Sequence, residues 1–170
     1  VYVHVPFCHS ACYYCGCTRI IARNPARGRE YIERLAIEID LQSRLFDRDR
    51  LLTQIHFGGG TPNFLGAEGI LAITAKLESA FSFDPDASRE FSVELDPRHA
   101  DAQLVADIAA AGVNRISLGI QDFDADVQKA INRIQSVAQT AELIEAARAN
   151  GMRSINVDLI YGLPKQNESA

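Results

Sequence analysis

Apolar and polar residues along this chain switch between two periods, and each switch marks a predicted element. Val1, Val3 and Val5 stand at alternate positions around Tyr2 and His4, which predicts a first strand. Over residues 30–46 the period becomes helical, with Tyr31, Leu35 and Ile39 four apart and Ile32 and Ala36 beside them. A second strand over 53–57 runs into Gly58, Gly59, Gly60, Thr61 and Pro62. A helix over 66–81 follows, apolar at Ile70, Leu71, Ile73, Thr74 and Leu77. The third strand, 90–95, closes on Asp96 and Pro97. Asp101 is placed to cap a third helix with Leu104, Val105 and Ile108 on its buried side, and Gly112 stands where that helix should stop. A fourth strand over 114–120 leads to Gln121. Helical periodicity over 124–150 is broken, with Ser136 as a second start and Gly151 as the stop. A fifth strand spans 154–159, and a further helix is expected to begin within 162–170.

The order is strand then helix, repeated with short connections. It predicts an α/β fold, a parallel sheet with helices packed outside it. Residues able to do chemistry gather where the strands end. Cysteines follow the first, Gly59 to Thr61 the second, Glu94 lies in the third, Gln121 follows the fourth and Asp158 lies near the end of the fifth. In a β/α barrel those ends share one mouth, where active sites lie. Taken singly, Glu94 could cap a helix, Gln121 could satisfy backbone, and Asp158 could pair with an arginine.

All four cysteines fall within residues 8–17, as Cys8, Cys12, Cys15 and Cys17, a C-x3-C-x2-C-x-C spacing. Disulfides among them would close only tiny loops and leave the rest of the chain without a cross-link. Zinc usually takes two separated ligand pairs, and only His4, His9, His56 and His99 could complete such a site. An iron–sulfur cubane remains, held either by three thiolates with one iron open or by four with Cys17 as the last ligand. The short reach from Cys15 to Cys17 favours the open cluster. Arg19, Arg23, Arg27 and Arg29 follow closely, and read either as a solvated loop or as receptors for an anionic substrate's carboxylates.

Composition adds limits. The 170 residues are one domain's worth, and 47% hydrophobic with 23% charged residues is ordinary for a globular protein. A net charge of −5 argues against a broad nucleic-acid surface. No apolar run is long enough to span a membrane, and free cysteines without a secretion signal fit a reducing cytoplasm. Opening on Val1 and ending where a helix should begin, the chain reads as a piece of a longer protein.

C-x3-C-x2-C with Tyr14 before the third cysteine resembles the signature of the radical S-adenosylmethionine (SAM) enzymes. Longer strings resemble one branch of them, the oxygen-independent coproporphyrinogen III oxidases (coproporphyrinogen dehydrogenases) of haem biosynthesis. These strings include Tyr2-Val-His-Val-Pro-Phe-Cys8, His56-Phe-Gly-Gly-Gly-Thr-Pro62, Val93-Glu-Leu-Asp-Pro97, Gly119-Ile-Gln-Asp-Phe123, Asn132-Arg133 and Asn156-Val-Asp-Leu-Ile-Tyr-Gly-Leu-Pro164.

The resemblance implies a six-stranded partial barrel, of which residues 1–170 would hold the radical SAM core with five strands. The sixth strand and a C-terminal domain would be absent, the outer strand would present an unpaired edge, and this piece alone would lack turnover. It implies that Cys8, Cys12 and Cys15 ligate a [4Fe-4S] cluster, and that Tyr2, Gly59 and Glu94 contact a cluster-bound SAM. Tyr14, Gly60, Thr61, Gln121, Arg133 and Asp158 would contact a second SAM, and Cys17 would be needed without being a ligand. The implied activity is that of an oxidoreductase: oxidative decarboxylation of coproporphyrinogen III propionates to vinyl groups through a 5′-deoxyadenosyl radical. It would use an external electron donor and acceptor, with no nucleic acid or membrane partner, in a cytoplasmic monomer. A related branch handles haem without decarboxylation and typically lacks the thiol at Cys17; it is the alternative. Tyr14 stands where phenylalanine is common, and Ile134 where an acidic residue is familiar.

Overall fold

A computed structural model describes residues 1–85 and 89–167. Five strands form one sheet: β1 (Tyr2–Val5), β2 (Gln54–Gly59), β3 (Glu90–Leu95), β4 (Arg115–Gln121) and β5 (Ser154–Leu159). They lie side by side in chain order, every neighbouring pair parallel. The helices are α1 (Ala26–Ser43), α2 (Gly66–Ala80), α3 (Ala102–Ala110), α4 (Ala125–Ala130) and α5 (Val137–Ala149). Two further parallel pairs are only two residues long: Phe7–Cys8 with Ile20–Ile21, and Leu51–Leu52 with Ser82–Phe83. The expected α/β order is what forms. The helix expected to begin within 162–170 falls partly on residues 168–170, outside the described residues.

Helix limits follow local capping. Asp101 accepts from Leu104 N, and Asp124 accepts from the amides of Asp126 and Val127. Ser136 and Gln139 close a reciprocal capping box at the start of α5. The first helix differs from the periodicity reading of 30–46. It starts at Ala26, because Pro25 already has helical backbone angles and Asn24 Oδ1 accepts from Ala26 N at 3.0 Å. Beyond Ser43 it tightens, with Leu45 N bonding Gln42 O at 2.9 Å, so Leu45 and Phe46 fall outside it.

The two faces of the sheet differ sharply. On the outer face Val3, Val5, Ile55, Phe57, Phe91, Val93, Ile116 and Leu118 are buried against Ile39, Ile70, Ile73, Leu77, Val105, Ile108 and Leu143 of the helices. Fully burying side chains of this size is worth about 1.5–3 kcal/mol each. The inner face carries Tyr2, His4, His56, Ser92, Glu94, Ser117, Asn156 and Asp158. A parallel sheet buried on both faces would read as continuous apolar runs. Here the concave side is polar, so it is shaped to meet a ligand rather than to pack. Within the described residues β5 pairs on one side only, with β4, so the expected unpaired edge is present.

Candidate active site

The cysteine loop is fixed from both sides. Where it leaves the sheet, Ala22 N bonds Cys8 O at 2.9 Å and Ile20 N bonds Pro6 O at 2.7 Å. At its far side Tyr13 N bonds Ile131 O at 3.0 Å, and Asn132 Nδ2 donates to Ala11 O at 2.7 Å. Asn132 takes a left-handed backbone conformation (φ 56°), which asparagine tolerates better than most residues, and this turns the end of α4 onto the loop. Arg19 Nη1 closes the loop, donating to Cys15 O at 2.6 Å.

The loop opens into a cavity of about 230 Å³ at the C-terminal ends of the strands. All four cysteines line it, with Tyr14, Gly59, Gly60, Thr61, Glu94, Gln121, Arg133 and Asp158. Among the residues that the resemblance assigns to the cluster, to SAM or to Cys17's role, Tyr2 alone is outside the lining. Its ring stacks on His56 (centroids 5.6 Å apart, planes at 19°) and its hydroxyl lies 3.2 Å from His4 Nδ1. Of the four loop arginines only Arg19 lines this cavity. The structure adds Asp96, Arg98 and Ser117, none of which the sequence marked as functional.

Each wall residue has a physical hold. Gly60 is where the chain crosses the first strand's exit: a Cβ there would lie 2.7 Å from Phe7 O, so no other residue fits. Glu94 accepts from Gly59 N at 3.2 Å through Oε2, and His56 Nε2 lies 3.1 Å from Oε1. Asp158 accepts from Ser117 Oγ at 2.9 Å and from Asn156 Nδ2 at 2.8 Å. Gln121, beside a register shift between β4 and β5, has φ 71°. A non-glycine residue there costs about 1–2 kcal/mol, and such strain clusters at functional sites.

Asp96 is the buried anion of the site. It accepts from Arg98 Nη2 at 2.6 Å and from Arg133 Nη2 at 3.2 Å. Burial works against its charge, but the Arg98 hydrogen bonds and the charges of both arginines outweigh it and hold the carboxyl below its ordinary range. Asn63 stitches the glycine loop to this turn, receiving Asp96 N at 3.0 Å and donating to His99 O at 2.8 Å. Burial pushes the Cys8 thiol up, while the Thr61 hydroxyl opposes it. It also raises the Tyr14 phenol, against the pull of Arg133.

The model of the Radical SAM superfamily matches residues 2–170. The chain belongs to the radical SAM superfamily. It is 45% identical over 166 residues to the oxygen-independent coproporphyrinogen III oxidase of Pseudomonas aeruginosa, covering 98% of this chain and 36% of that protein. With the enzyme of the same name from Escherichia coli it shares 42% over 166 residues, again 98% of this chain and 36% of the other. The solved structure of coproporphyrinogen III oxidase from Escherichia coli, described as a radical SAM enzyme, superposes with a TM-score of 0.92 at 42% identity, over 97% of this chain and 37% of that one. A radical SAM methyltransferase from Kitasatospora setae shares the fold at 17% identity, with a TM-score of 0.59, over 94% of this chain and 30% of that one. The chain thus spans a little over a third of the length of its curated relatives.

Membership in the radical SAM superfamily brings a [4Fe-4S] cluster and SAM as cofactors, and the donor set fits them. Four soft thiols line the cavity, beside a glycine surface that a Cβ would fill. Among the described residues no three His, Cys, Asp or Glu side chains converge on one ion. Ligands for separate irons of a cluster need not converge, whereas a tetrahedral zinc site would require it. Among the described residues no helix is long and apolar enough to cross a membrane.

Proposed function

We propose that this chain is the radical SAM core of an oxygen-independent coproporphyrinogen III oxidase, which converts propionate side chains of coproporphyrinogen III to vinyl groups on the way to haem. The likeness to enzymes of that name over nearly the whole chain carries the reading. Cys17, beside the three ligand cysteines on the same wall, favours the oxidase over the haem-handling relatives.

In this reading Cys8, Cys12 and Cys15 would hold three irons of the cluster, and the fourth would be open to SAM. With SAM bound, the cluster would supply hydrogen-atom abstraction from a propionate, whose conversion to a vinyl group releases CO2 and gives one electron to an external acceptor. The protein positions these groups. Glu94, braced by His56 and Gly59 N, accepts hydrogen bonds from the first SAM, with Tyr2 and Gly59 beside it. Tyr14, Gly60, Thr61, Gln121, Arg133 and Asp158 form the wall for a second SAM. Cys17 sits at the mouth, its backbone N 3.5 Å from Cys15 Sγ, free to act without ligating. We place the enzyme in the cytoplasm, acting as a monomer without nucleic acid or membrane.

The test is anaerobic cluster reconstitution of the full-length protein, followed by SAM, a reductant, an electron acceptor and coproporphyrinogen III. Vinyl product with stoichiometric 5′-deoxyadenosine is expected. Tight haem binding without turnover would transfer the chain to the haem-handling branch.

A further inference from the structure

Cys12 is set apart from its neighbours by the company its sulfur keeps. Cys8 Sγ receives a hydroxyl from Thr61, and Cys15 Sγ a backbone amide from Cys17, each at 3.5 Å. Cys12 Sγ instead faces two guanidinium groups, Arg98 Nη2 and Arg133 Nη1, both at 3.7 Å. Both cations share one carboxylate, that of Asp96. The three side chains are 13%, 7% and 7% exposed, for Arg98, Arg133 and Asp96. Two cations on one anion leave a net positive charge against a single sulfur, in a place where water screens little.

As a structural brace the arrangement is poor. Buried ion pairs contribute little net stability after desolvation, and a second arginine on one carboxylate adds desolvation without adding an anion. Arg133 Nε is moreover buried with no hydrogen-bond partner. The surplus charge points at the thiol, where hydrogen bonds and charge around a cluster's sulfurs set its reduction potential.

We propose that the Asp96–Arg98–Arg133 triad tunes the reduction potential of the cluster through Cys12, the arginines favouring the reduced, more negative state and Asp96 limiting their effect. Arg98 is thereby a tuning residue that acts through the Cys12 sulfur. The proposal rests on Cys12 being a cluster ligand.

The experiment is redox potentiometry, followed by EPR, on the anaerobically reconstituted full-length protein and three variants, with iron and sulfide measured on each. Arg98→Gln removes a cation and is expected to move the midpoint potential more negative. Asp96→Asn removes the anion and is expected to move it more positive. Arg98→Lys keeps the charge and should stay near the wild type. Opposite signs for the first two are what a packing defect would not give. Unchanged potentials, or shifts of the same sign in Arg98→Gln and Asp96→Asn, overturn the proposal. If one of these two fails to hold a cluster, the other's shift against Arg98→Lys decides the sign. A wild type holding a cluster that survives Cys12→Ser overturns the ligand reading underneath, a result separable from unmoved potentials.

Discussion

His56 holds Glu94 from within the barrel: its Nε2 lies 3.1 Å from the carboxylate's Oε1, while Nδ1 lies 2.7 Å from Ser92 Oγ. The two residues sit on adjacent parallel strands, and the His56 ring also stacks on Tyr2. One imidazole therefore braces two residues assigned to the first SAM. Replacing His56 by Phe keeps the stack and removes the hydrogen bond. SAM binding to the reconstituted protein, measured calorimetrically, should weaken about 10-fold, the usual effect of losing an outer-shell partner. His56→Gln, whose amide can still donate to Glu94, should recover part of the loss. Equal affinity in all three proteins would remove His56 from this role.

A Cβ at Gly60 would meet Phe7 O at 2.7 Å and Pro6 O at 2.8 Å, backbone atoms that cannot swing aside. Gly60→Ala should therefore cost about 1–3 kcal/mol of stability, as overpacking does. Gly16 has open space around its Cβ position, so Gly16→Ala is the control and should change stability little. Urea denaturation of both variants measures the contrast.

The pH dependence of stability should carry the mark of Asp96. Its carboxyl titrates lower in the folded chain than in the unfolded one, despite burial, because Arg98 and Arg133 hold it ionised. Its contribution is thus fully present above the unfolded value, about 3.9, and is lost as the pH falls from there through the lower folded value. The stability gap between wild type and Asp96→Asn, in the cluster-free protein, should be widest near neutrality and narrow below about pH 4. A gap that stays constant across that range would show that Asp96 acts through shape alone.

Single Cys→Ser variants should divide three against one. Cys8→Ser, Cys12→Ser and Cys15→Ser are expected to lose most reconstituted iron and sulfide. Cys17→Ser should retain the cluster while losing decarboxylation. Loading iron requires thiolates, and burial raises the Cys8 thiol, so uptake should release protons that a weakly buffered assay detects.

Much of this was legible from residue order. Alternation in Tyr2–Val5 and Arg115–Gln121 reports strands with one apolar face, and the caps at Asp101 and Ser136 stand at their helix starts. The cavity wall was readable because strand ends in a parallel sheet converge, so Glu94, Gln121 and Asp158 meet the cysteines without any local signal of contact. What escaped were relationships between distant segments. Asp96 looked like the close of a strand, and its pairing with Arg133, 37 positions along, exists only because α4 folds back onto the cysteine loop. His56 occupied an ordinary strand position until its register beside Ser92 put it within reach of Glu94. The early start of α1 turned on an Asn24 side chain that periodicity does not register.

The proposed activity turns on a cluster held by three thiolates, its fourth iron open to a chelating ligand. EPR of the reduced, reconstituted full-length protein, recorded with and without SAM, tests it most directly. Binding of SAM to the open iron predicts a clear change in the spectrum. A spectrum unmoved by saturating SAM would mean that the cluster is closed, with Cys17 as its fourth ligand.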